Sequence, residues 1–294
     1  MSIKNLVIAG GGATGFISYG AIKQMNILNF WNYDTLNTIY GSSIGSFIGF
    51  VVSLGYDWET LDSYIINRPW DKAFTMIKTD LLEIYKNKGL NGEEIVKICT
   101  GPLLKGKFLS ENITLLELYN ATNIELCLVT TEVNLDKCIK TEILSYKTTP
   151  NMSVNKAIAA SLAFPLLFKP VVDNNKMYID GGLLHNYPLQ LCLNNTKCNE
   201  DEILAITNIW TSSDDSLINK TSFIDFGAAL IGKCHWTLES SKLQPKIKNQ
   251  IESIITIPSH NLMKWWEILE NVDERTKLIN QGINDADAFF KSLN

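Results

Sequence analysis

Thr38-Ile39-Tyr40-Gly41-Ser42-Ser43-Ile44-Gly45 is the stretch that decides the fold. Thr38-Ile39-Tyr40 is a short strand, and 46–54 is an apolar run of helical type. Between them Gly41-x-Ser43-x-Gly45 spells the sharp strand-to-helix turn that throws a serine out above a sheet. A side chain at Gly41 or Gly45 would collide with the neighbouring strand or helix. The helix that follows aims its free N–H groups and its positive end at Ser43, which suits a developing oxyanion.

Upstream, Asn5-Leu6-Val7-Ile8-Ala9 reads as a buried strand and Gly10 to Gly15 as a glycine-rich turn. A helix over 16–28 then carries Ile17, Ala21, Ile22 and Met25 on one stripe. The order strand, turn, helix, strand, turn, helix is a βαβα unit, which demands a parallel sheet with helices on its faces. Downstream, the pattern predicts helices over 58–84 and 92–99, the second with Asn91 as N-cap. Strands follow at 124–131 and 141–146, then an alanine-rich helix at 154–162 closed by Phe164-Pro165. A strand at 176–179 runs into Asp180-Gly181-Gly182. The remainder reads as a strand at 202–209, an apolar helix at 223–238, a strand at 254–257 and helix over 264–293. No repeat and no linker interrupts it, so one domain over 1–294 is expected, with the motifs inside 4–190 and 200–294 completing it.

Composition narrows the function. Apolar residues are 46% and charged residues 19%, a globular balance that argues against disorder. The net charge of −5 is spread along the chain, which argues against a nucleic-acid partner. Arg68 and Arg275 are the only arginines, which disfavours an arginine-clamp mechanism. The six cysteines form no C-x-x-C pair, and the three histidines lack zinc spacing to them, so no metal is expected. Neither a secretory signal nor an apolar run of about twenty residues is present, which points to a cytoplasmic protein, at most peripheral to membranes.

Gly10-x-Gly12-x-x-Gly15 also fits a dinucleotide fingerprint, but no acid closes the second strand to hold a ribose. The same glycines expose backbone N–H groups beside the strand that carries Ser43, where an oxyanion hole belongs. A serine nucleophile needs a base. His185, His235 and His260 lie in no recognisable pattern, and His235 reads as a core histidine. Asp180 offers the alternative, an acid at a strand end with Gly181 and Gly182 clearing space beside it.

The ordered set G-G-G-x-x-G, G-x-S-x-G and D-G-G resembles the patatin-like phospholipases. The alanine-rich 157–165 and Asn186-x-Pro188 add to that resemblance, which runs from about Lys4 to Pro188. It implies a three-layer αβα sandwich with a mainly parallel central sheet, and lipid acyl-ester hydrolysis without a cofactor. It assigns Ser43 as nucleophile, Asp180 as its base, and the Gly10–Gly15 loop, with the amides of Gly11, Gly12 and Ala13, as oxyanion hole. A phospholipid or other acyl lipid is the expected substrate, met at a membrane surface. Two departures stand out. Thr14 replaces a basic residue of the family's loop, and Ile44 replaces a small residue of its elbow, narrowing the pocket. An inactive lipid-binding relative, a transacylase using the same serine, and a nucleotide-dependent oxidoreductase are the competing readings. Lipid contact is considered for 223–238 and Lys264-Trp265-Trp266, although both read first as core helices.

Overall fold

In the computed structural model, residues 2–73, 86, 88–211, 223–240, 244–256 and 262–293 are described. Strands β1 (Asn5–Ile8) and β2 (Thr38–Ser42) pair in parallel, with helix α1 (Gly15–Ile27) between them and α2 (Ile44–Ser53) after. Strand β4 (Glu125–Glu132) joins the other side of β2, also in parallel. Strands β9 (Ile203–Trp210) and β10 (Gln250–Ile255) extend the sheet beyond β1, parallel again. On the far side β8 (Lys176–Asp180) and β7 (Val171–Asp173) form a hairpin, and β8 runs antiparallel to β4, as does β5 (Lys140–Leu144). The result is a mainly parallel eight-stranded sheet. A separate pair joins β3 (Gly89–Asn91) to β6 (Leu166–Phe168).

Alternation along the central strands builds the layers, because successive side chains of a strand point to opposite faces. Leu6, Ile8, Ile39, Leu126, Leu128, Leu204 and Ile206 enter one core, with α1 and α2 against it. Val7, Tyr40, Cys127, Ile203 and Ala205 enter a second, covered by Leu189 and Cys192 of the helix Leu189–Thr196. The expected three-layer αβα sandwich is thus the observed fold.

Several sequence boundaries need correction. The helix expected over 58–84 stops at Asn67, because Pro69 holds Arg68 in an extended conformation. One further turn, Trp70–Ala73, follows, and 74–84 lie outside the described residues. Asn91 is not an N-cap. It ends β3, its side chain donates to the Leu167 carbonyl at 3.1 Å, and Gly92 caps a helix that runs Glu93–Gly106. The last strand begins at Gln250 rather than 254, and Ile257 lies outside the described residues. The C-terminal helix is two, Leu262–Glu270 and Val272–Ser292, split where the Asn271 side chain accepts from the amides of Asp273 and Glu274. Arg275 is buried and donates to the carbonyls of Ile66, Arg68, Ile268 and Leu269, so it satisfies helix ends rather than a ligand.

Candidate active site

Register brings the chemistry together. Ser42 pairs with Val129 of β4, and Asp180 pairs with Thr130, the next residue of that strand. Strand β5 takes the other edge of β4, so β2 and β8 follow one another along the same edge, and Ser43 and Asp180 meet where the two strands end. Ser43 Oγ donates to Asp180 Oδ2 at 2.7 Å across 137 residues of sequence. Asp180 Oδ1 accepts from the Gly182 amide at 2.7 Å, so both carboxylate oxygens are engaged.

The elbow is built by close approach. A Cβ on Gly41 would lie 2.5 Å from the Gly45 carbonyl oxygen, and one on Gly45 would strike the Ile8 carbonyl. Ser43 itself sits at φ 52, ψ −127, a region costing a non-glycine residue about 1–3 kcal/mol. Ser161, unremarked in the sequence, holds this turn in place. Its Oγ accepts from the Ser43 amide at 3.1 Å, donates to the Val129 carbonyl at 2.6 Å, and meets Ser46 Oγ at 2.7 Å. The sequence signal was a lone hydroxyl in the alanine-rich helix Val154–Ser161.

Asp180 is 2% exposed. Burial pushes its carboxyl up from 3.8 to about 6, against the opposing pull of the Ser43 and Gly182 hydrogen bonds. A carboxylate in that range is a stronger base than a solvated one and still ionised at neutral pH.

Ser43 lies where two cavities meet. The inner one is about 170 Å³ and apolar, walled by Ile44, Phe47, Ile48, Trp70 and Val96. The outer one is about 60 Å³ and includes Gly11, Gly12, Asn186, His235 and Trp236. Trp265 borders both, its ring against Gly12, where a Cβ would come within 2.6 Å. Ile44 packs on Gly15, whose Cβ would lie 2.5 Å from Ile44 Cγ1, so the larger elbow residue does enter the pocket wall.

The glycine turn lies at the end of β1 beside Ser43. Gly10 donates its amide to the Asn186 carbonyl at 2.9 Å, which gives the Asn186-x-Pro188 segment its place. Gly11 (φ 153) and Gly12 (φ 58) take conformations that favour glycine. The amides of Gly11, Gly12 and Ala13 have no acceptor among the described residues. Gly181 is pressed against the Val129 carbonyl, with no room for a side chain.

Neither His185 nor His235 takes part in the Ser43–Asp180 hydrogen bond. His185 Nδ1 lies 2.7 Å from Thr141 Oγ1. His235 is half-buried and lines the outer cavity, so it is not the core residue the sequence suggested. His260 lies outside the described residues. The helix Phe223–Ser240 also departs from expectation. Its small residues Ala228, Ala229 and Gly232 are buried, while Phe226, Leu230, Cys234 and Leu238 form an exposed stripe. Among the described residues no helix is long and apolar enough to cross a membrane, and no cluster of ligating side chains could hold a metal ion.

Comparison with known proteins gives the family and the fold. A family model described as patatin-like phospholipase matches residues 6–193. "Probable lipid hydrolase 463L" of Invertebrate iridescent virus 6 is 27% identical over 238 residues, covering 78% of each chain. "Uncharacterized protein R571" of Acanthamoeba polyphaga mimivirus is 30% identical over 203 residues, 64% of this chain and 61% of that one. The crystal structure of VipD from Legionella pneumophila matches 95% of this chain and 67% of its own, with a TM-score of 0.58 at 16% identity. At that identity the likeness speaks to fold alone.

Proposed function

This chain belongs to the patatin-like phospholipase family, and from that premise we propose that it cleaves fatty-acyl esters of lipids through a Ser43–Asp180 dyad and an acyl-serine intermediate. The observation that carries the proposal is the 2.7 Å hydrogen bond from Ser43 Oγ to a buried Asp180 carboxylate.

In this reading the ester's acyl chain enters the apolar inner cavity and its alcohol portion occupies the outer one. Asp180 accepts the hydroxyl proton as Ser43 Oγ attacks the carbonyl carbon. The amides of Gly11, Gly12 and Ala13 receive the oxyanion, each such donor being worth about 3 kcal/mol in acyl-transfer sites. The carbon–oxygen bond to the alcohol then breaks and the alcohol leaves with the proton. Asp180 deprotonates a water that attacks the acyl-serine, and Ser43 takes the proton back as the fatty acid leaves. Strand β9 serves the same catalytic unit, because Asn208 at its end reaches the glycine turn.

The substrate must be lifted from a lipid surface. The exposed stripe of Phe226, Leu230, Cys234 and Leu238 supports transient contact there. The same helix supplies His235 and Trp236 to the outer cavity, so lipid met by the stripe lies beside the mouth of the site.

The test is release of fatty acid from phospholipids, lysophospholipids and neutral acylglycerols, wild type beside Ser43→Ala. Release that disappears with Ser43→Ala is expected. Full release by Ser43→Ala would refute the mechanism.

A further inference from the structure

The sequence gives Thr14 where the family's loop carries a base, and nothing in it singles out Asn208. In the structure these two residues meet. Asn208 lies two places beyond Ile206, the β9 residue paired with Ile8 at the end of β1, so its side chain comes level with the glycine turn. Its Nδ2 donates to the Gly10 carbonyl at 3.2 Å and to Thr14 Oγ1 at 2.9 Å. A side-chain amide nitrogen has two protons, and both are used. With one lone pair of Thr14 Oγ1 occupied, the hydroxyl proton goes to the Gly11 carbonyl, at 3.1 Å.

Peptide planarity turns these contacts into catalytic geometry. In a trans peptide the C=O and the following N–H point in opposite directions, and the unit is nearly rigid. Fixing the Gly10 carbonyl therefore aims the Gly11 N–H, and fixing the Gly11 carbonyl aims the Gly12 N–H. Those are two of the amides that lack an acceptor among the described residues, and both glycines border the outer cavity with Ser43. The positive φ of Gly11 and Gly12 leaves this turn without the restraint a side chain would impose.

We propose that Asn208 and Thr14 are positioning residues that hold the Gly11 and Gly12 amides in the orientation needed to receive the oxyanion. This rests on the Ser43–Asp180 reading given above. Neither side chain touches substrate. They act on the turning-over step, because donors aimed at the oxyanion matter when negative charge develops and little when the neutral ester binds.

The experiment measures kcat and KM on a soluble short-chain ester for wild type, Asn208→Leu, Thr14→Val, Thr14→Ser and the Asn208→Leu/Thr14→Val double variant, with thermal unfolding of each. Asn208→Leu and Thr14→Val should each lower kcat by about 10- to 100-fold, the scale of losing a held geometry. KM should stay within about threefold, because ground-state binding is untouched. Thr14→Ser keeps the hydroxyl and should restore most of the rate. The double variant should be little worse than Asn208→Leu, since both act through one network. Should Asn208→Leu fail to fold, Thr14→Val against Thr14→Ser decides the question alone. Wild-type kcat in both Asn208→Leu and Thr14→Val, or a loss confined to KM, would overturn the proposal. A wild type with no Ser43-dependent turnover would instead refute the dyad and remove the ground for this inference with it.

Discussion

Asp180→Asn should make this protein more stable while it destroys its activity. The carboxylate is buried, and that burial raises its pKa from 3.8 to about 6. A rise of about two pH units, at about 1.4 kcal/mol each, means the ionised dyad costs the folded state about 3 kcal/mol at neutral pH. The sign follows from proton binding. Between pH 3.8 and about 6 the folded state holds a proton that the unfolded chain has released, so stability from this group is complete at low pH and lost as pH rises through about 6. Asparagine has no charge to bury, and its oxygen can still accept from the Gly182 amide while its nitrogen faces Ser43 Oγ. The stability difference between Asp180→Asn and wild type should therefore grow from about 1 kcal/mol near pH 4.5 to about 3 kcal/mol at pH 8. Urea unfolding of both proteins across that range measures it. Turnover should fall by about 10²- to 10⁴-fold, the usual contribution of a general base. A variant less stable than wild type at pH 8, or a difference that does not change with pH, would refute the reasoning.

The same pKa should shape the rate profile: log(kcat/KM) should rise with slope one below about pH 6 and level off above it, read from initial rates on a soluble ester. Phe226→Ser/Leu230→Ser, changed on an exposed stripe, should lower hydrolysis of vesicle lipid by about tenfold or more and leave a soluble ester's turnover within about twofold, as parallel assays would show. Arg275→Leu should cost about 3 kcal/mol or more in chemical unfolding, because four main-chain carbonyls lose a buried donor.

The parts of the fold with strong local signals were legible. The buried runs of β1, β2, β4 and β9 alternate between two cores, and the glycines at 41 and 45 report a contact so close that no other residue fits. The meeting of Ser43 with Asp180 followed from ordered motifs, although its cause, the register of β2 and β8 against β4, is not written locally. Ser161 and Asn208 were missed because neither belongs to a local motif, and what each holds, the Ser43 amide and the Gly10 carbonyl, lies 118 and 198 residues away in the chain. The orientation of the helix Phe223–Ser240 was hidden for a different reason. Its apolar residues are spread around the helix, Phe226 and Leu230 as well as Ala228 and Ala229, so apolar content alone could not show that the alanines pack inward while Phe226 and Leu230 face out. The break at Arg68 was there to be read in Pro69, and the apolar residues on either side obscured it.

Covalent capture tests the central claim most directly. Wild type and Ser43→Ala would be treated with a fluorophosphonate that carries an alkyl chain, then analysed by intact mass and peptide mapping. One adduct per chain, on the peptide at Ser43 and absent from Ser43→Ala, is the predicted result. No adduct on folded wild type, or equal labelling of the alanine variant at another residue, would contradict the account.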